Sequence, residues 1–107
     1  MKKTYYHATR KENVFSIKTE GLKAGPDGFV YLSDTVDGAI TFMRIRMIEG
    51  LYAVIPVYLE EEDIQEGTDH NRDIIKANSF VYEGDIAPEN VEHNLDNIPL
   101  FELTLNK

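Results

Sequence analysis

The chain has no cysteine and no tryptophan. Without cysteine there are no disulfides and no thiolate metal centre, which is in keeping with a reducing compartment. Long apolar runs are also missing, and nothing approaches the ~20 residues a membrane-spanning helix needs. The first residues, MKKTYY, carry the lysines of a secretion signal but not the apolar stretch that follows them in one. A cytoplasmic protein without a membrane partner is therefore expected. Positive charge is scarce, with 11 Lys and Arg against 19 Asp and Glu, a net charge of −8. Such a field repels phosphate backbones, so nucleic acid is not an expected partner. Only a local groove built from Arg44, Arg46 and Arg72 could run against it. Repeats and low-complexity segments are absent. The remaining composition is ordinary for a globular protein, 42% hydrophobic and 28% charged over 107 residues, and predicts one domain spanning 1–107 with a modest core.

Residues 3–8, KTYYHA, are rich in Tyr and Thr and predict a short strand. A helix follows, with Thr9 as its N-cap and Glu12 three residues on, as in a capping box. Val14, Ile17 and Leu22 mark its buried side, and Gly21 ends it. KAGPDG (23–28) is a turn-rich loop, and FVYLS (29–33) is a second strand. A second helix runs over about 34–48, opened by Asp34 and closed by Gly50. Its apolar stripe is Val36, Ala39, Ile40, Met43 and Met47. LYAVIPVYL (51–59) is apolar without alternation, as in a central strand, and Pro56 marks an interruption of its pairing. The acidic segment 60–73 reads as a loop, with room for a short turn of helix. Residues 74–86 supply one or two strands, 87–93 a polar turn with Val91 tucked in, and 98–105 a last strand with Phe101, Leu103 and Leu105 toward the core. Strands outnumber helices and cluster late, so the fold class is α+β with mixed or antiparallel pairing.

Three stretches, taken in order, resemble the ADP-ribosyltransferase fold. His7-Ala8-Thr9-Arg10, Asn13, Ile17 and Gly21-Leu22 are similar to the H-G-S-R-x-x-N-x-x-x-I-x-x-x-G-L pattern of poly(ADP-ribose) polymerases. The RNA 2′-phosphotransferases, which share the fold, have a similar H-G-T there. Val30-Tyr31-Leu32-Ser33-Asp34, with Ala39 beyond, looks like the polymerases' G-[IV]-Y-[FL]-[AS]-D segment. It also looks like the phosphotransferases' H-V-H-L-[ST], with Tyr31 in place of their second His. NSFVYEGDIAPENV (78–91) is similar to the phosphotransferases' third motif, N-G-V-Y-L-T-x-x-V-P-P-x-x-I. The resemblance implies split mixed or antiparallel β-sheets with two short helices, and NAD as the substrate.

The resemblance also implies roles. His7 holds a ribose hydroxyl, the Ala8 backbone holds the nicotinamide carboxamide, and Tyr31 stacks on the ring. Thr9, Arg10 and Ser33 complete the NAD-binding set, Arg10 through a guanidinium suited to phosphate. Arg10 could equally pair with Glu12 or Glu20. A carboxylate normally finishes the triad by orienting the ribose and stabilising the cationic centre. Anchored on Asn78, that position falls at Ser79. Glu83 is on the same face of a regular strand but four residues on, ~13 Å away at about 3.3 Å per residue. Both stay open as the third position. The segment 68–73 contains Asp69, His70 and Asp73 without the spacing or thiolates of a metal site, so no metal is expected. His70, Asn71 and Arg72 fall where the family recognises its target.

Three functions compete. The first is an NAD-dependent mono-ADP-ribosyltransferase acting on a macromolecule, with a protein as the expected target. Its small size suits a phage or mobile-element effector. The second is a degenerate binding or inhibitory module that kept the fold without the chemistry. The third is an RNA 2′-phosphotransferase-like enzyme, against which the acidic charge and Tyr31 both argue.

Overall fold

A computed structural model describes residues 1–46, 48–66 and 79–104, Ser79 by its backbone only. Its frame is β3 (Gly50–Glu60), paired antiparallel with the whole of β1 (Lys2–Arg10), from Lys2 opposite Glu60 to Arg10 opposite Tyr52. Both strands are longer than their sequence patterns suggest. Tyr52, Ala53, Val54, Ile55, Val57 and Leu59 are all buried. The strand is apolar without alternation because helices cover both faces of the sheet.

The remaining strands are β2 (Phe29–Ser33), β4 (Ile64–Glu66), β5 (Ser79–Glu83) and β6 (Leu100–Leu103). Together they form one six-stranded sheet in the order β4-β5-β2-β1-β3-β6, and every pairing is antiparallel. Of the two expected pairings, mixed and antiparallel, the described residues show the antiparallel one. The fold is a small α+β domain with two α-helices among the described residues, α1 (Val14–Glu20) and α2 (Val36–Arg46). No helix among the described residues is long and apolar enough to cross a membrane.

One face carries the main core. Val14 and Ile17 of α1 and Leu22, Ile86, Val91 and Ile98 from the connections pack on Tyr5, Val30, Leu32, Ala53, Ile55 and Val57. Phe80 meets Tyr5 edge-on, with ring centroids 5.5 Å apart. Fully burying a residue such as Ile55 contributes about 1.5–3 kcal/mol. The opposite face lies under α2, where Gly38 and Ala39 meet the sheet. At the far edge Phe101 stacks on Tyr52 at 5.4 Å. Val91 is buried, as its polar surroundings suggested, and bridges Val57.

Local structure departs from the sequence reading where pairing outweighs propensity. Thr9 does not cap a helix: the ladder with β3 keeps the chain extended through Arg10, a 3-10 turn takes Lys11–Asn13, and only then does α1 begin. Thr9 Oγ1 instead accepts from Asn13 Nδ2 at 3.1 Å. Thr35, not Asp34, caps α2, its hydroxyl accepting from Gly38 N at 2.9 Å. Gly50 does not close that helix, which ends at Arg46; it opens β3. Met47, the last residue of the expected stripe, and Leu105 lie outside the described residues.

Pro56 sits in the middle of β3 without breaking it. Its carbonyl accepts from Glu92 N at 3.0 Å, on the side away from β1. A residue's N–H and C=O point to the same side of a strand, so the donor that proline lacks belongs to that outer side and β1 loses no bond. Beside it, the Tyr58 hydroxyl donates to the Glu92 carboxylate, and that bond pushes the Tyr58 phenol up to about 12.

Candidate functional site

β1 and β2 are neighbours in the sheet, yet they share one registered pair, Tyr6 with Ser33. Beyond it β1 continues along β3 to Arg10, and β2 continues along β5 back to Phe29. The sheet is one body pinched at this seam, rather than two separate sheets. His7 stands next to the single pair. Its Nδ1–H donates to the Tyr31 carbonyl at 2.8 Å, a side chain taking the place of a ladder bond.

The imidazole is disfavoured as a cation. Burial holds it below the usual histidine value, the hydrogen bond to the Tyr31 carbonyl opposes this, and the nearby Arg46 guanidinium adds to the lowering. At neutral pH His7 is therefore neutral. Its Nδ1 proton is committed to Tyr31 O, which leaves Nε2 as an acceptor.

Tyr31 is not a core aromatic, being 51% exposed. It opposes Val81 on β5, with Glu83 opposite Phe29. β5 pairs residue for residue with β2 and carries no bulge, so nothing moves Glu83 nearer to Ser79, which is registered with Ser33. Strand alternation puts Tyr31 on the same face as Phe29 and Glu83. It puts His7 on the other face, with Tyr5 and Thr9. The structure thus joins His7 to the main chain of Tyr31, and brings Tyr31 and Glu83 to one surface as diagonal neighbours across two strands.

The other expected binding residues divide. Ala8 is half-buried opposite Val54. Arg10 forms neither of the expected ion pairs: its guanidinium lies over the Tyr52 ring, 5.5 Å from the centroid. Ser33 is fully buried, and its hydroxyl accepts from Thr35 N at 3.3 Å, so it serves the turn into α2. His70, Asn71, Arg72 and Asn78 lie outside the described residues, as do Asp69 and Asp73. Among the described residues no group of His, Asp and Glu is arranged to hold a metal ion.

One residue escaped the sequence reading. Asp27, taken only as part of a turn, accepts the Tyr31 hydroxyl on Oδ2 and the Phe29 N–H on Oδ1 at 3.1 Å. The available signal was its spacing: a carboxylate four residues before a strand tyrosine, across a Gly turn.

Comparison with known protein families and with curated proteins finds no match to this chain.

Proposed function

We propose that this protein is a minimal NAD-dependent mono-ADP-ribosyltransferase with the two strands of the β1–β2 seam as its nucleotide site. The observation that carries this reading is the seam itself: neighbouring strands that part after one pair, with His7 bound to the Tyr31 main chain across the gap. It unites the first two of the three resembling stretches at one place. A neutral His7 accepts a ribose hydroxyl at Nε2. The half-exposed Tyr31 ring, on the opposite face of the sheet from His7, offers a flat surface to the nicotinamide, so a dinucleotide held by both residues passes through the seam where the strands part. Arg46, close enough to act on His7, and Arg10 at the end of β1 supply positive charge for the diphosphate in an otherwise acidic molecule. Transfer breaks the bond between nicotinamide and ribose and passes the ribosyl carbon to the acceptor's nucleophile. The developing cation needs a carboxylate, and Glu83 is the β5 acid on the Tyr31 surface. With a net charge of −8, the acceptor is a protein rather than a nucleic acid.

A second reading, NAD binding without transfer, is favoured by one observation. The position directly opposite Tyr31 holds Val81, not an acid. Calorimetric titration of NAD into the purified chain separates the outcomes. Micromolar to sub-millimolar binding that His7→Ala and Tyr31→Ala both abolish supports the site. Nicotinamide release that Glu83→Gln stops supports transfer. Binding without release leaves the degenerate module, and no binding to folded protein refutes both.

A further inference from the structure

Loop 23–28 is built to deliver one carboxylate. Gly25 N donates to Phe29 O at 3.0 Å, Gly84 N to Gly28 O at 2.8 Å, and Ala24 N to Asp85 Oδ1 at 2.7 Å. These bonds pin the loop to its own strand and to the end of β5. Held in this frame, Asp27 uses both oxygens, one on the Phe29 N–H and one on the Tyr31 hydroxyl. The hydrogen bond from Tyr31, and then the one from Phe29, hold its carboxyl below the usual range, so the charge is present at any working pH. Lys23, the nearest loop cation in sequence, lies by Asp85 at 3.9 Å.

We propose that Asp27 is a specificity-determining residue: it locks the Tyr31 ring as a stacking platform, and its charge makes that platform select a cationic planar ring over a neutral one. This rests on the nucleotide reading above, in which the selected ring is the oxidised pyridinium of NAD and the rejected one is the uncharged dihydropyridine of NADH. A phenol donating to a carboxylate has an electron-richer ring, whose face attracts a cation more strongly. The carboxylate adds direct attraction. Glu83, exposed on the same surface, adds charge of the same sign.

The test uses the full chain and four probes: NAD, NADH, the 1-methylnicotinamide cation and neutral nicotinamide. The wild type is expected to prefer the cationic member of each pair by about three- to tenfold. Asp27→Asn keeps an oxygen to accept from Tyr31 but loses the charge and the second oxygen, which accepts from the Phe29 N–H. It is expected to bring both ratios toward one, weakening the cationic probes more than the neutral ones. Asp27→Ala also frees the ring and weakens all four. Ratios unchanged in Asp27→Asn overturn the proposal and leave the nucleotide site standing. Failure of folded wild type to bind any probe overturns both.

Discussion

Replacing Gly21 by alanine tests how the connection after α1 is held. Gly21 has φ +84° and ψ −175°, a region open to glycine almost alone. A Cβ there would stand 2.1 Å from the Ile86 carbonyl oxygen and 2.9 Å from Pro88 N. Both are backbone atoms, so no rotamer change relieves the contact. The conformation costs about 1–3 kcal/mol. Displacing Ile86 also opens its bridge with Leu22, whose two bonds measure 2.9 and 2.8 Å and contribute about 1 kcal/mol each. The sum is about 3–5 kcal/mol, or a fall in Tm of at least ~12 °C at the usual ~4–8 °C per kcal/mol for a domain near this size. Gly28→Ala is the control. Its φ is +87°, but nothing lies within 4 Å of the added carbon, so only the backbone term of about 1–2 kcal/mol remains. Urea unfolding followed by circular dichroism measures both. If Gly21→Ala falls within about 1 kcal/mol of Gly28→Ala, the steric argument is wrong.

Two further expectations concern His7 and the strand opposite it. His7 titrates near 6.5 when unfolded and lower when folded, so between those values the unfolded chain binds more protons. Stability should fall as pH drops below about 6.5 and level off under the folded value; thermal melts across that range should lose this slope in His7→Gln. The lowered carboxyls of Asp27 and Glu92 act in a separate window, losing their contribution only below about pH 4.5. Ile55, registered with His7 and fully buried, should cost about 2–5 kcal/mol when cut to alanine and about 0.5–1.5 as valine. An unchanged urea midpoint in Ile55→Ala would contradict its place in the core.

How far the residues could be read depends on what each element owes to its neighbours. β2 was legible to the residue, since FVYLS is short, apolar and bounded by Gly and Asp. β3 was legible because helices on both sides let it be apolar throughout. β4 was not, because Ile64–Glu66 is mostly polar and is a strand only through pairing with Tyr82, Val81 and Phe80. The capping pattern at Thr9 is real chemistry, but a nine-residue ladder with β3 outweighs one side-chain bond. At the candidate site, the motifs single out His7 and Tyr31. The motifs could not show their relation, since it runs from an imidazole to a carbonyl across a gap between strands 24 residues apart.

The sequence by itself determined the α+β class, the apolar spine from 51 to 59, the punctuation at Gly21 and the acidic surface. Each follows from local residue types and their periodicity, which need no partner to act. Tertiary structure alone decided that among the described residues the sheet is single and wholly antiparallel, that it pinches at Tyr6 and Ser33, that His7 and Tyr31 take opposite faces, and that Asp27 reaches the Tyr31 hydroxyl. These depend on register, because a shift of one residue turns every side chain of a strand to the other face. Register is set by the summed fit of all six strands rather than by any one stretch of the chain.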